Sequence, residues 1–255
     1  KELRQVVTAV GDGAKAATAL EKYAAAMHEK TGLRPRKPEI KEAKEASGGE
    51  AQPEGIFPQQ VMQQLEAVFE RMQEPLMLEL CLDEKAISEE LRSYMEELAQ
   101  LTPKLTVRKS TESAEHVPLV RVLRSDGSDS GLAFHGVPGG HEFTSFIMGL
   151  YNVAGPGQAL DGETMGRIRA LDAPTDMQIF VSLSCTMCPE LVIAAQHIAA
   201  LNPNVRAEAY DLNHFPALKE TYNVMSVPCL VLNGEKVLFG KKSINQLLDM
   251  LEQQE

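Results

Sequence analysis

From residue 57 onward the apolar and polar positions switch between two periods, one helical and one extended. Val61, Leu65, Val68 and Phe69 recur at helical spacing and predict a helix over about 58–72. The run Leu76–Leu82 reads as a buried strand, a helical pattern covers about 85–100, and a short strand falls near Leu105–Val107. After Val117-Pro118 come a strand at Leu119–Leu123, an Asp126-Gly127 turn, a strand near Leu132–His135 and a helix from about His141 to Tyr151. The order is α-β-α-β, a proline, then β-β-α.

The same order returns. A helix near 160–171 precedes strand Met177–Leu183, a helix of about 188–200, strand Val205–Tyr210 and a short helix at 214–222. Val227-Pro228 then leads to strand Cys229–Leu232, the turn Asn233-Gly234, strand Lys236–Phe239 and a helix from about 243 to 253. Shifted by 100 residues, Glu90 aligns with Glu190, Leu91 with Leu191, and Leu101-Thr102-Pro103 with Leu201-Asn202-Pro203. Two copies of one α/β unit, at 56–155 and 156–255, are the economical reading. In that register Cys185 and Cys188 fall on Lys85 and Ser88, so only the second copy can do thiol chemistry.

Residues 29–55 contain three prolines, a Gly-Gly and alternating Lys and Glu, the composition of a flexible linker. Residues 1–28 have too little apolar bulk to fold alone, and the chain starts at Lys1 without a methionine. They read as the tail of a domain whose main part lies upstream, so the whole is expected to be a fragment of something longer.

Composition narrows the class. The chain has 255 residues, 44% hydrophobic and 24% charged, enough for about two globular domains. No run approaches the roughly 18 consecutive apolar residues a membrane span needs, and the start lacks a signal-peptide layout. The expectation is a soluble, cytoplasmic protein without membrane contact. A net charge of −11 argues against nucleic acid, which is bound through a basic footprint. Residues 1–55 hold 10 basic and 9 acidic side chains, so the acidity belongs to the globular part.

Four cysteines make no disulfide framework, but Cys185 and Cys188 stand as Cys-x-x-Cys where an apolar strand gives way to a helix. The unpaired N–H groups and positive dipole end there favour a thiolate, making Cys185 the nucleophile and Cys188, one turn further in, the resolving thiol. Pro189 is tolerated because its missing N–H would lack a partner anyway. A structural zinc site is the rival, but it normally needs two further ligands, and only Cys229 and scattered histidines could supply them. A merely structural pair is the other alternative; no metal is expected. Cys229 reads as a buried small hydrophobe that could also be a third thiol near the pair, and Cys81 as a core residue. His135, His141 and His214 read as structural, with proton carrying as the alternative.

Cys-x-x-Cys after the first strand and Val-Pro before the third resemble the thioredoxin fold, which implies cis peptides before Pro228 and Pro118, with Pro228 facing the redox pair. Thr186 and Met187 between the cysteines, together with Val227 and Pro228, would then meet a partner. Taken whole, residues 56–255 resemble the N-terminal domain of the flavoprotein subunit of alkyl hydroperoxide reductase, two contiguous thioredoxin-like folds of which only the second is redox-active. FHGVPGGHEFTSFIMGLY at 134–151, SLSCTMCPELV at 182–192, LNPNV at 201–205 and NVMSVPCLVLNGEKVLFG at 223–240 carry it. The resemblance implies that Glu142, in the silent copy, lies near the cysteines and exchanges protons with them. A helix N-terminal acid favoured by the dipole is the plainer account of Glu142.

Residues 4–23 separately resemble the last helix of the flavin domain of low-molecular-weight thioredoxin reductases, where Arg4, Gln5 and Val6 would touch the flavin. The dinucleotide-binding glycine motifs of that family are absent, and the order, tail before tandem, departs from the reductase flavoprotein. What the resemblances imply is electron transfer from NAD(P)H through FAD in a flavin domain of the same polypeptide to Cys185–Cys188, then to a peroxiredoxin or thioredoxin-like acceptor. The chain alone would bind no cofactor, and the parent enzyme would be a homodimer. A non-redox binding module and a free-standing disulfide oxidoreductase remain as alternatives.

Overall fold

The computed structural model describes residues 56–254; the expected tail at 1–28 and linker at 29–55, with Arg4, Gln5 and Val6, lie outside them. The first copy comprises α1 (Gln59–Arg71), β1 (Leu76–Cys81), α2 (Ala86–Gln100), β2 (Leu105–Lys109), β3 (Leu119–Arg124), β4 (Asp129–His135) and α3 (Glu142–Ala154). The second comprises α4 (Gly162–Arg169), β5 (Thr175–Val181), α5 (Cys188–Leu201), β6 (Val205–Asp211), α6 (Pro216–Thr221), β7 (Cys229–Leu232), β8 (Lys236–Phe239) and α7 (Ile244–Leu251). No described helix is long and apolar enough to cross a membrane.

The repeat read from the sequence is a repeat of topology. Strands run β2-β1-β3-β4 in the first copy and β6-β5-β7-β8 in the second, and they form a single eight-stranded mixed sheet. The copies join where β4 pairs parallel with β6, from Leu132 opposite Ala207 to His135 opposite Tyr210. Because side chains alternate across a strand, one face is set by the apolar positions. Leu132 and Phe134 of β4, Met177, Ile179 and Val181 of β5, and Ala207 and Ala209 of β6 all enter the main core.

Helices α3 and α5 lie over the seam and are apolar nearly all round, as expected of helices covered on every side. Each follows a strand, β4 or β5, and both strands are parallel to β6, so the two helices run the same way. They cross closely: a Cβ built on Gly149 would lie 2.8 Å from Gln196 Oε1. Two turns back from that crossing are Glu142 on α3 and Cys188 on α5, the first residue of each helix. Polar groups bridge the halves as well. Gln196 Nε2 donates to Ala133 O and Ala207 O, both at 3.4 Å. Arg124 donates to Val153 O at 3.4 Å and Ala200 O at 2.9 Å, serving the carbonyl ends of both helices with one guanidinium.

The structure moves some boundaries. Strand β5 stops at Val181, two residues before the expected end, because Cys185 N donates to Ser182 O and turns the chain. Strand β4 begins at Asp129, earlier than expected, after a register shift opposite Val122 and Leu123. The peptides before Pro118 and Pro228 are cis, as the resemblance implied, and so is the one before Pro156, which the sequence reading did not anticipate.

Gly131 is where the copies approach most closely. Its φ is +80° and a Cβ there would sit 2.5 Å from Val205 O. Gly131→Ala should therefore lower stability by about 2 kcal/mol or more, read as a lower urea midpoint at unchanged slope.

Candidate active site

The site is built where β5 ends and α5 begins. Cys185 and Cys188 form a disulfide with a Cα separation of 5.5 Å. Cys188 opens α5 and is fully buried, whereas Cys185 is half-buried, Thr186 is exposed and Met187 is 48% exposed. The sulfur reachable from solvent is thus that of Cys185. Pro189 occupies the first turn, where its missing N–H costs nothing.

The second wall comes from the start of β7. Cys229 pairs with Phe180 in the antiparallel ladder, so continuing the register sets Pro228 beside Val181 and Val227 beside Ser182. Val227 and Cys185 both pack against the main core, as the fold resemblance led one to expect. Cys229 itself belongs to a different cluster, with Phe180 and Tyr210, on the opposite face of the sheet. Burial pushes its thiol up to about 11. The possibility of a third thiol facing the pair is therefore corrected: Cys229 is a buried apolar residue turned away from it.

The third wall belongs to the silent copy. After β4 the chain passes through Gly140, whose φ is +54° and whose Cβ, if present, would lie 2.5 Å from Leu183 O. His141 N donates to the same carbonyl at 3.0 Å. Only a glycine permits that approach, and it brings the first turn of α3 against the loop that carries the cysteines. Tyr94 holds the loop from behind through a hydrogen bond to Pro138 O at 3.2 Å, within an aromatic group formed with Phe57 and Phe143.

Glu142 is therefore enclosed. It is 0% exposed; Oε2 accepts from Ser145 Oγ, and Oε1 accepts from no group in the described protein. Burial raises its carboxyl to about 7, the Ser145 hydroxyl pulls it down in part, and the charge of Asp211 pushes it further up. A carboxyl poised near neutrality can both take and give a proton at working pH.

Asp211 is the residue the sequence reading missed. It ends β6 opposite Val181, is 1% exposed, and leaves Oδ2 without a hydrogen bond. The alternation of β6 contained the signal, since Ala207, Ala209 and Asp211 fall on one face, but which face meets the helices is not a sequence property. His214, read as structural, lies 3.7 Å from Asp211 Oδ2.

His135 and Glu208 are on the other face, in a cleft of about 260 Å³ with His116, Arg121 and Arg206. His135 stacks on Tyr210 with centroids 3.8 Å apart, and its Nε2 is 3.2 Å from Glu208. Cys81 is buried beneath Arg121, which is 3.8 Å from its sulfur. In the silent copy the position of the disulfide is held by polar bonds: Ser88 Oγ donates to Asp83 Oδ1 at 2.5 Å, and Lys85 pairs with Asp83 at 2.9 Å. Among the described residues no group of three or more His, Cys, Asp or Glu is placed to hold a metal ion.

A disulfide on the first turn after a strand, a cis proline at its side and a cysteine-free twin define a tandem thioredoxin-fold disulfide domain. The thioredoxin domain family model matches residues 175–252, the second copy. The N-terminal domain of the alkyl hydroperoxide reductase AhpF from Enterococcus faecalis is 35% identical and covers 76% of this chain and 99% of its own, with a TM-score of 0.74. The chain belongs to the family of that domain. The corresponding alkyl hydroperoxide reductase flavoprotein-type relative of Pseudomonas aeruginosa is 33% identical over 189 residues, 74% of this chain and 36% of the relative. A protein named NADH dehydrogenase from Ferdinandcohnia aciditolerans is 30% identical over 77% of this chain and 37% of its own. This chain thus spans a little over a third of those relatives.

The state of Glu142 has a consequence for stability. Its carboxyl is raised from an ordinary 4.5 to about 7, so the folded state holds a proton that the unfolded chain releases. The protein is favoured below about pH 4.5 and loses on the order of 3 kcal/mol as pH rises to about 7. Glu142→Gln should abolish that slope, and thermal unfolding of both chains between pH 4.5 and 8 measures it.

Proposed function

We propose that this chain is the thiol-disulfide electron-transfer part of a flavoprotein disulfide reductase. The observation that carries the reading is the half-exposed Cys185–Cys188 disulfide with a buried, half-partnered carboxyl, Glu142, supplied by the other fold at the same end of two parallel helices. In the reduced domain, the Cys185 thiolate attacks a partner disulfide. A bond forms from Cys185 to one partner sulfur as the partner's S–S bond breaks, and the departing sulfur takes up a proton. Cys188 then gives its proton to Glu142 and attacks Cys185, closing the intramolecular disulfide and releasing the second partner sulfur. Two electrons pass to the partner.

Residues 1–28 are taken as the tail of a flavin domain and 29–55 as its linker, with 56–155 and 156–255 as the two folds. FAD and NAD(P)H belong to that flavin domain. The described strand-to-helix turns, Cys81–Ala86 and Val181–Cys188, contain no glycine and do not fit a pyrophosphate cradle. The acceptor is a peroxiredoxin or a thioredoxin-like protein that touches Thr186, Met187, Val227 and Pro228. Met225, 76% exposed two residues before Val227, extends that apolar rim.

The test is the reduction potential of Cys185–Cys188, obtained by equilibrating the chain in graded thiol buffers and counting alkylated cysteines by mass. A reversible two-electron step at roughly −300 to −220 mV is expected, and Cys188→Ser should trap a mixed disulfide with the acceptor. A potential near about −120 mV would instead mark an oxidase, and failure to form the disulfide at any poise would leave a binding module. Glu142→Gln should slow exchange with a small disulfide reagent on the order of 10²-fold at pH 7.

A further inference from the structure

Two carboxyl groups are buried at the same end of the sheet, and each keeps one oxygen without a donor: Glu142 Oε1 and Asp211 Oδ2. Such an arrangement is costly unless one group stays neutral. The backbone sets them on either side of one segment. Next to Glu142, His141 N donates to Leu183 O at 3.0 Å; next to Asp211, Leu212 N donates to Val181 O at 3.1 Å. Asp211 shares its face with Ala207 and Ala209, which pack in the same cluster as Cys188, so its side chain is directed to the helix side where α3 and α5 begin. Gly136, on the loop leading to Glu142, would place a Cβ 3.5 Å from both Asp211 Cβ and His214 Cδ2.

We propose that Asp211 is a positioning residue for Glu142: its buried charge at the end of the adjacent strand keeps the proton on Glu142 while the disulfide is closed. This rests on the reading of Glu142 as the proton carrier of the site. Asp211 is free to remain charged because its other oxygen is satisfied; Oδ1 accepts from Asn213 N at 3.1 Å and Asn213 Nδ2 at 2.9 Å. Glu142 has only the Ser145 hydroxyl. Of the two, Glu142 is the poorer place for a charge, and it is raised to about 7 with Asp211 as a contributing cause.

The groups facing Glu142 are Ser145 on its own helix, His141 at the helix start, Asp211 from β6 and His214 from the loop after it. To these the reduced state adds the thiols of Cys185 and Cys188 on α5. His214 is the one partly exposed base in contact with Asp211, its Nε2 3.7 Å from Oδ2 and its side chain 35% exposed. Protonating His214 offsets the Asp211 charge and loosens the hold on the Glu142 proton. The redox centre thereby gains an electrostatic contact with solvent that does not pass through the sulfurs.

The test reads the Glu142 carboxyl directly, by carbon NMR titration of the oxidised full chain, with Glu142→Gln identifying the resonance. Asp211→Asn, which keeps the Oδ1 acceptor, should lower the midpoint by about half a pH unit or more, and Asp211→Glu should restore it. His214→Lys, which leaves Asp211 and its bonds to Asn213 in place, should move the midpoint the same way through a permanent positive charge. An unmoved or raised midpoint in Asp211→Asn overturns the proposal. Should that variant not fold, an unmoved midpoint in His214→Lys does so alone. The titration needs no thiol reaction, so it is separate from the activity reading. If the midpoints shift while Glu142→Gln exchanges disulfides at the wild-type rate, the coupling stands and the proton-carrier role of Glu142 falls.

Discussion

The parallel pairing of β4 with β6 is the constraint from which the rest follows. It turns two four-stranded sheets into one and leaves only β2 and β8 as edges. It also forces α3 and α5 to lie side by side, running the same way, over a seam that neither copy could cover alone. Apolar residues all round those helices, a glycine at their crossing, and one arginine serving both carbonyl ends are consequences of that position. The co-location of Glu142 and Cys188 is another, because parallel helices started at equal distance from one crossing begin at the same level. A copy without cysteines thereby becomes part of a thiol site.

The same sheet holds two buried glutamates with opposite fates, which shows what decides the protonation of an enclosed carboxyl. For Glu208, burial pushes upward, but hydrogen bonds and charges from His135, Arg206 and Tyr210 outweigh it and hold the group at about 2. Glu142 meets a single hydroxyl and a neighbouring negative charge, and burial wins. The difference is in the number of donors. A carboxylate with its lone pairs filled is a structural anion; one left half-partnered is a reservoir for a proton.

The divergence of the copies follows the same logic. Asp83, Lys85 and Ser88 close the loop after β1 with hydrogen bonds and an ion pair, holding the geometry without redox chemistry. The second copy uses the disulfide in that place. Freed from supplying thiols, the first copy presents its Gly139-Gly140-His141 turn to Leu183. An oxidisable loop thus rests on one that does not change covalently.

Much of this was legible in the chain. Period-two and helical patterns gave nearly every element, since each strand or helix buries a stripe whose spacing is local. The offset of 100 residues gave the repeat, and Cys-x-x-Cys with Val-Pro gave the redox pair and its neighbour. Glu142 was reached through resemblance alone; nothing in its local sequence separates a proton carrier from an ordinary acid at a helix start. Asp211 and the outward turn of Cys229 were not reached, because which face of β6 or β7 meets the helices depends on how the copies join. The sequence by itself determined the elements, their order and the sulfur chemistry, all of which rest on near neighbours along the chain. Only the tertiary structure decided which carboxyl groups are shut away without donors, because desolvation is produced by segments some 70 residues apart closing over one point.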